Sequence, residues 1–431
     1  MQFYSTRNKK LKVELKEAVL NSLAPDGGLF MPESLDKLSD SFFANFKNRR
    51  FQENAFLIAK HLLGDSLEDQ ALEKIVYDAF NFDVPLIQLS DQIYSLELWH
   101  GPSLAFKDFG ARFMSRLIAH FVKHQDQKQT ILVATSGDTG GAVASGFAGI
   151  DNVEVVILYP KDKVSPLQEL QLTTWGGNIK AIEIDGVFDD CQTIVKRAFL
   201  DEELNRLKNL SSANSINIAR LIPQSFYYFE AIKQLDKGDE KVAISVPSGN
   251  FGNLCAGLIA RKLGLSIDYF IAATNINKVV PEYLSSSIYK PKTSQSTISN
   301  AMDVGNPSNF ERLMDMYNSD HSLITQDIYG YHYTDDQTKE ALSAISRKYN
   351  YTADPHGAVG FLAINEFLLD RRDCQGIFLE TAHPAKFLPV METVLDQVSV
   401  PDSLRRLEYL EMSKQSLNNN YNEFKDWLLG Q

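Results

Sequence analysis

The feature that most constrains the fold of this chain is a repeated pattern of apolar strand, glycine-rich turn and helix. Residues 131–135 form a short apolar run that leads into the turn SGDTG at 136–140 and then into a helix of small residues. Residues 242–247 repeat the pattern and lead into SGNFGN at 248–253. Strands that alternate with helices in this way pack into mainly parallel sheets covered by helices on both faces. The sequence therefore predicts an α/β protein.

The rest of the chain extends this pattern, and its chemistry is expected where the strands end. Strands are predicted at 130–135, 153–158, 179–184, 242–246, 269–273 and 377–380, with intervening helices at 188–200 and 224–235. In parallel α/β folds, ligands bind beyond the carboxyl ends of the strands. Both glycine turns follow such ends, so we expect both to face a site.

Changes in pattern along the chain predict four units. Residues 1–90 read as an N-terminal helical unit with helices near 54–63 and 67–80, without sustained alternation of strands and helices. Residues 91–215 form an α/β unit with the first turn, and residues 216–395 form an α/β unit with the second. Residues 396–431 read as a C-terminal helical tail with a charged, amphipathic pattern.

Composition excludes several classes of function. The formal net charge of −12 disfavours nonspecific nucleic-acid binding, which uses clustered basic residues. No apolar run is long enough to cross a bilayer, and the first residues lack the apolar core of a signal peptide, so no membrane partner is expected. The three cysteines have no paired spacing, which predicts neither a disulfide framework nor a metal site. A reducing, cytoplasmic location is expected.

One lysine and the two turns are candidate chemical groups. Lys107 follows residues 100–106, HGPSLAF, and precedes a periodic apolar helix, so its amine is expected to be buried. Burial lowers the pKa of a lysine and frees a neutral nucleophile. Each turn presents helix-start N–H groups to an anion such as phosphate. Two plainer interpretations stay open, an ordinary helix-start lysine and turns that serve tight packing. Neither turn matches the phosphate-binding lysine loop or the dinucleotide fingerprint.

Taken together, these segments resemble the threonine synthase family, within the pyridoxal-phosphate enzymes of the tryptophan synthase β group. Further segments carry the resemblance, namely residues 23–30 (LAPDGGLF), 214–220 (NSINIAR), 301–312 (AMDVGNPSNFER) and 381–387 (TAHPAKF). They occur in order over almost the whole chain. The resemblance implies a tryptophan synthase β-like fold, in which two domains clamp pyridoxal 5'-phosphate beside a small N-terminal unit.

The resemblance also implies roles for individual residues. Lys107 would bind the cofactor covalently and act in catalysis, Thr381 would face the pyridine nitrogen, and Asp138 would lie near the 3'-oxygen. The cofactor phosphate would be held by Ser248, Gly249, Asn250, Phe251, Gly252 and Asn253. The substrate carboxylate would be held by Ser136, Gly137 and Thr139. The substrate phosphate would be held by Ser103, Ser215, Asn217 and Arg220.

The implied reaction is the conversion of O-phospho-L-homoserine and water into L-threonine and phosphate, by γ-elimination followed by replacement at Cβ. The expected partner is this small molecule, and the chain would act as a monomer or homodimer. Two alternatives stay open, another pyridoxal-phosphate lyase such as a serine or threonine dehydratase, and a noncatalytic binding protein of the same family. A dehydratase would need the lysine and one phosphate loop but no second anion pocket.

Overall fold

Three β-sheets with their surrounding helices make up the computed structural model, which describes residues 1–236 and 238–430. The strands are β1 (Gln2–Ser5), β2 (Lys12–Glu14), β3 (Phe30–Pro32), β4 (Leu86–Gln88), β5 (Ile93–Glu97), β6 (Gln129–Ala134), β7 (Val153–Pro160), β8 (Ile179–Asp185), β9 (Leu210–Ser212), β10 (Lys241–Pro247), β11 (Tyr269–Thr274), β12 (Ile328–His332), β13 (Cys374–Glu380) and β14 (Lys414–Asn418).

Helices cover these sheets and connect their strands. The α-helices are α1 (Leu15–Asn21), α2 (Asp40–Asn45), α3 (Phe51–Leu63), α4 (Asp69–Ala79), α5 (Lys107–Val122), α6 (Asp138–Phe147), α7 (Pro166–Thr173), α8 (Phe188–Leu200), α9 (Glu202–Lys208), α10 (Ile218–Leu221), α11 (Phe226–Gln234), α12 (Gly252–Lys262), α13 (Val279–Ser286), α14 (Phe310–Met316), α15 (His321–Asp327), α16 (Asp335–Tyr349), α17 (Pro355–Phe367), α18 (Leu388–Met391), α19 (Asp402–Arg405) and α20 (Tyr421–Leu429).

Two of the sheets are mainly parallel, as predicted. The larger has the strand order β12-β11-β10-β13-β5-β4, in which only the β4–β5 pair is antiparallel. The smaller has the order β14-β8-β7-β6-β9, and all its pairs are parallel. Strands such as β6 are buried along their whole length, which matches their continuous apolar sequence. The predicted α/β fold is confirmed.

The N-terminal unit contains a sheet that the sequence pattern did not indicate. Strands β1, β2 and β3 pair in the antiparallel order β2-β1-β3. Each has only three or four residues, and β3 is buried throughout. Such short strands carry little alternation of polar and apolar residues, so helix patterns dominated the prediction for residues 1–90.

Two strands join a sheet that the predicted division into units did not indicate. Strand β5, expected with the first glycine turn, pairs with β13 in the six-stranded sheet and aligns Leu96 with Leu379. Strand β14, in the predicted helical tail, pairs with β8 and aligns Gln415 with Ile182. Each α/β body is therefore built from separate stretches of the chain. Among the described residues, no helix is both long enough and apolar enough to span a membrane.

A cluster of aromatic rings fixes the helix that begins at Lys107. Phe109 contacts the rings of Phe51, Phe80 and Phe82 at centroid distances of 6.0, 5.8 and 5.0 Å. One turn later, Phe113 stacks on Phe80 at 6.1 Å. Each such pair contributes about 0.5–1.5 kcal/mol beyond area burial. The N-terminal unit thus holds α5, and with it Lys107, against the rest of the protein.

Candidate active site

Strand ends from both parallel sheets border one pocket. Its walls come from the segments that follow β6, β10 and β13, and from the start of α5. The predicted residues that line it are Lys107, Ser136, Thr139, Ser215, Arg220, Ser248, Gly249, Asn250, Phe251, Gly252, Asn253 and Thr381. Residues separated by up to a few hundred positions are therefore gathered around one space, at the strand ends where an α/β fold places ligands.

Lys107 is the first residue of α5, and its side chain is partly accessible where it lines the pocket. Its Nζ lies 5.4 Å from the centroid of the Phe106 ring. Burial lowers the pKa of Lys107 to about 8, and the positive charges of Lys386 and Arg220 act in the same direction, while Asp138 opposes them. The neutral, nucleophilic form of the amine is thus far more populated near neutral pH than it would be at the ordinary lysine pKa of 10.5.

The loop before Lys107 is attached to the segment that follows β13. The N–H of Phe106 donates to the carbonyl oxygen of Thr381 at 2.8 Å, and Ala105 forms a β-bridge with Ala382. Leu104 has a φ of 56°, a left-handed conformation that is costly for a residue with a Cβ. The surrounding contacts impose this conformation, and they bring Thr381 and Lys107 to the same wall of the pocket.

The second glycine turn forms a tight loop between β10 and α12. A Cβ on Gly249 would lie 2.6 Å from the carbonyl oxygen of Ala301, so only glycine fits there. Phe251 has a φ of 61° and precedes α12, which begins at Gly252. The first N–H groups of a helix have no intrahelical acceptor and carry a partial positive charge. The loop is therefore suited to hold a phosphate group.

Asn253 adds a side-chain donor to this loop. Its Oδ1 accepts hydrogen bonds from the hydroxyls of Tyr227 at 2.6 Å and Tyr228 at 2.7 Å, which fixes the orientation of the amide. Its Nδ2 is buried and has no hydrogen-bond partner in the described chain. A buried amide N–H without an acceptor costs free energy. A phosphate oxygen in the loop would supply the missing acceptor, so the residues present fit the phosphate of pyridoxal phosphate.

Arg220 is a buried cation without a counterion. Its side chain is 3% exposed and lines the pocket, and Nη1 donates to the carbonyl oxygen of Ala213. Within the described residues no carboxylate forms an ion pair with it, and its Nε has no hydrogen-bond acceptor. Burial lowers the pKa of Arg220 to about 10, although Asp108 opposes this shift. A buried guanidinium of this kind is strongly stabilised by an anion.

Four predicted residues lie behind the pocket wall and do not line it. They are Ser103, Gly137, Asp138 and Asn217. Gly137 has a φ of 136° and lies so close to Gln168 that a Cβ would approach its Cδ to 2.6 Å. This glycine therefore serves the backbone of the turn.

The amide group of Asn217 is fully used within the chain, which does not support its expected role in binding the substrate phosphate. Its Nδ2 donates to the carbonyl oxygens of Val19 and Ser212 and to Ser22 Oγ, and its Oδ1 caps α10 by accepting from the Ala219 N–H at 2.9 Å. No donor is left for a ligand. Asn217 instead positions α10, the short helix that carries Arg220.

Asp138 is buried beside a second lysine. Its Oδ1 lies 2.8 Å from Lys386 Nζ and accepts a hydrogen bond from Gln168 Nε2 at 3.0 Å. Burial would raise the pKa of Asp138, but the charges of Lys386 and Lys107 outweigh it and hold the pKa well below its usual value. Asp138 is thus a carboxylate at neutral pH and the negative member of a buried ion pair.

The structure adds pocket residues that the sequence did not single out, namely Gln224, Asn300 and His356, together with Asp303, whose motif was noted without a role. His356 Nε2 lies 3.3 Å from the N–H of Ala301 and accepts its hydrogen bond, while Nδ1 lies 3.3 Å from Asp354 Oδ2. The sequence around His356 indicates only that it lies near the start of a helix, because it follows Asp354 and Pro355, residue types that are common at helix starts. Pairing of distant segments brought these residues to the pocket, and their local sequence did not reveal that role.

Asp303 is a pocket carboxyl with a raised pKa. Burial raises its pKa to about 6, while hydrogen bonds from Thr297 and Asn275 oppose the shift. The Asn275 amide donates to Oδ1 at 2.8 Å, and the Thr297 N–H donates to Oδ2 at 3.0 Å. This carboxyl therefore takes up a proton at a higher pH than an exposed aspartate does, but it is still mostly ionised at pH 7.

Comparison with family models covers nearly the whole chain. Residues 83–376 match the model described as pyridoxal-phosphate dependent enzyme. Residues 2–80 match the threonine synthase N terminus, and residues 357–427 match the threonine synthase C-terminal model.

Individual relatives agree with these models. A threonine synthase of Haemophilus influenzae is 43% identical over 431 residues and covers 100% of both chains. A threonine synthase of Escherichia coli is 43% identical over 398 residues, which is 92% of each chain. The crystal structure of threonine synthase from Escherichia coli superposes with a TM-score of 0.94, at 40% identity, and covers 100% of both chains.

Proposed function

This chain belongs to the threonine synthase family of pyridoxal-phosphate-dependent enzymes, and from that premise we propose that it converts O-phospho-L-homoserine and water into L-threonine and phosphate. In the overall reaction, phosphate leaves Cγ of the substrate and the hydroxyl group of a water molecule becomes bonded to Cβ. Protons must be removed and returned at neighbouring carbons. The pocket therefore has to bind two phosphate groups, one from the cofactor and one from the substrate. It also has to remove protons from neighbouring substrate carbons and return them.

The cofactor supplies an electron sink that stabilises negative charge on substrate carbon. In this pocket Lys107 would hold it covalently and the turn at 248–253 would hold its phosphate. Thr381, which follows β13, would face its ring nitrogen. Support for this assignment comes from the unpaired donor of Asn253 and from the Phe106–Thr381 hydrogen bond, which keeps the two ends of the binding site together.

The observation that carries the proposal is the buried, unpaired guanidinium of Arg220 beside Lys107. The turn at 248–253 would hold the cofactor phosphate. The positive charge of Arg220 in the same pocket therefore favours a substrate with its own anionic group. Arginine presents a planar fork that donates two hydrogen bonds to a phosphate. Donors already fixed in place stabilise the charge that develops as phosphate leaves Cγ. A dehydratase acting on serine or threonine has no use for this cation.

Lys107 is the proposed base at Cα. Because its pKa is lowered to about 8 by burial, its amine can accept a proton and release it again near neutral pH. The amine is tethered at the start of α5 in the same pocket, so the transfer to or from a bound substrate would need no diffusional encounter. The hydroxyls of Ser136 and Thr139 line the same pocket and are proposed to hold the substrate carboxylate.

A single assay tests the proposal. Purified protein with pyridoxal phosphate is incubated with O-phospho-L-homoserine, and phosphate and threonine are measured in the same samples, with homoserine and serine as controls. Equal amounts of phosphate and threonine are expected. Phosphate with 2-oxobutyrate would mean that elimination occurs without addition of water, and no turnover with bound cofactor would contradict the proposal.

Replacement of Arg220 tests the anion pocket separately. Arg220→Gln removes the charge and the fork, so kcat/KM for O-phospho-L-homoserine should fall by about 10²- to 10³-fold while the cofactor spectrum is retained. Arg116→Gln is the matched control. The guanidinium of Arg116 is also partly buried and donates to the carbonyl oxygen of Gly146 at 3.1 Å, but it does not line the pocket. Unchanged kcat/KM in the Arg220 variant would overturn the role of this residue.

A further inference from the structure

Lys386 is a buried ammonium that does not reach the pocket. It is 0% exposed and lies on the 3-10 helix Pro384–Phe387, shortly after Thr381. Its Nζ donates to the carbonyl oxygen of Ser103 at 2.8 Å and forms the ion pair with Asp138 at 2.8 Å. A fully buried lysine is costly unless its charge and its donors are satisfied. Asp138 and the Ser103 carbonyl oxygen therefore compensate the cost of burying this charge.

The ion pair belongs to a closed ring of hydrogen bonds. Asp138 Oδ1 accepts from Gln168 Nε2 at 3.0 Å, and Gln168 Oε1 accepts from the N–H of Ser165 at 3.2 Å. The ring closes where Ser165 Oγ donates to the carbonyl oxygen of Lys386 at 3.0 Å. Both polar ends of Lys386, its ammonium and its carbonyl, thus hold the starts of α6 and α7 to the segment after β13.

Lys386 also holds the loop that leads to Lys107. The carbonyl oxygen of Ser103 accepts from Lys386 and from Gln171 Nε2 at 3.0 Å. The N–H of Ser103 donates at 2.8 Å to Oδ2 of Asp108, the residue that follows Lys107. Three contacts on one residue fix the path of the backbone just before the reactive lysine. Removal of the Lys386 ammonium would release one of them and leave Asp138 without its counterion.

The charges that face Lys107 come from four elements. Asp138 at the start of α6 and Asp354 before α17 favour the charged form of its nitrogen. Lys386 on the Pro384–Phe387 helix and Arg220 on α10 favour the neutral form. Lys386 has a double effect, because it repels a positive charge on Lys107 directly and also compensates the attraction exerted by Asp138.

We propose that Lys386 is a positioning residue whose buried ammonium fixes Asp138 and the loop before Lys107 and favours the neutral form of the Lys107 nitrogen. It does not line the pocket, so it acts through these two neighbours. The inference rests on the proposed function only in that Lys107 carries the cofactor. It requires nothing about the amino-acid substrate.

The test is a pH titration of the absorbance spectrum of the holoenzyme, without substrate. Lys386→Met removes the ammonium at similar size, so the midpoint for loss of the proton on the Lys107 nitrogen should rise by about one pH unit. Lys386→Arg keeps the charge and should leave the midpoint near that of the parent. Asp138→Asn removes the attracting carboxylate and should move the midpoint down. A purely structural role would not give shifts of opposite sign for the two members of one ion pair.

A second comparison can be made even if the Lys386→Met variant does not fold because its Asp138 carboxylate has lost its counterion. The single variant Asp138→Asn and the double variant Asp138→Asn with Lys386→Met differ only in the ammonium, and both lack the carboxylate. The double variant should titrate at the higher pH. Equal midpoints, or a lower midpoint in the double variant, would overturn the inference. Because no substrate is present, this outcome is independent of whether O-phospho-L-homoserine is turned over.

Discussion

At Gly249 the absence of a side chain sets the shape of the phosphate loop. A Cβ there would lie 2.6 Å from the carbonyl oxygen of Ala301 and 3.0 Å from Cα of Met302, and both are backbone atoms that cannot rotate away. Gly249→Ala should therefore displace the turn at 248–253 and destabilise the protein by about 1–3 kcal/mol. The affinity for pyridoxal phosphate, measured by fluorescence titration of the protein freed of cofactor, should fall at least tenfold.

The matched control is Gly430→Ala at the end of the last helix. There a Cβ meets its nearest atoms at 3.5 Å, an ordinary contact. This variant should keep the parent's affinity and Tm. If Gly249→Ala also kept the parent's affinity, the turn at 248–253 would not hold the cofactor phosphate.

Where β13 ends against the start of α17, two acidic side chains share a buried site. The N–H of Asp354 donates to Glu380 Oε1, and Glu380 Oε2 is buried with no hydrogen-bond partner among residues 1–236 and 238–430. Burial raises the pKa of Glu380 well above its ordinary value of 4.5, and the carboxylates of Asp354 and Glu97 add to the shift although the Asp354 N–H opposes it. The carboxyl at this junction of strand and helix therefore keeps its proton to a higher pH than an exposed glutamate does.

This protonation gives the junction a predictable dependence on pH. A carboxyl whose pKa is raised by folding stabilises the fold fully below the unfolded-chain value of 4.5, and that contribution is lost as pH rises through the folded pKa. Glu380→Gln keeps the acceptor for the Asp354 N–H and removes the titration. The Tm of the variant relative to the parent should thus increase as pH is raised from about 5 to 8. The exposed Glu392→Gln serves as control, and a difference that stays constant or shrinks with pH would contradict the assignment.

Across the whole molecule, the last residues complete the smaller parallel sheet. Strand β14 adds to the edge of β8, and Lys414 on it forms ion pairs with Glu169 at 2.7 Å and Glu183 at 2.8 Å. Helix α20 packs Phe424 and Leu428 into the cluster beneath β8 and α8. The C-terminal segment is thus an integral part of this body, although its sequence predicted a separate helical cover.

Phe424→Ala tests how far the smaller sheet depends on this tail. Phe424 is completely buried, so its truncation should cost about 3–5 kcal/mol through lost burial and a residual cavity. Thermal unfolding should show a clearly lower Tm, while kcat/KM below the transition should be largely retained because Phe424 does not itself line the pocket. Leu410→Ala, at an exposed position of the same segment, should leave the Tm unchanged. An equally small effect at Phe424 would mean that the tail does not stabilise this sheet.

Local sequence determined the elements whose pattern is complete within a short stretch. The strands β6 and β10 are continuous apolar runs followed by glycine turns, and these features specify a buried parallel strand and a helix start without reference to the rest of the chain. The same reasoning identified Lys107, because an apolar helix follows it directly. Assignments that depend on one segment and its immediate flanks could therefore be made from the sequence.

Tertiary structure decided what depends on which segments meet. Three contacts join residues that are far apart in the chain. They are the pairing of β5 with β13, the pairing of β14 with β8 and the ion pair of Lys386 with Asp138. Asn217 shows the same limit, since only the packing of α1 and β9 around it reveals that its amide is already used. A hydrogen bond or ion pair between distant segments leaves no periodicity in either one. The sequence by itself thus determined the fold class and singled out Lys107 as a candidate. The packing of distant segments decided which polar groups face the pocket and which ones lie behind its wall.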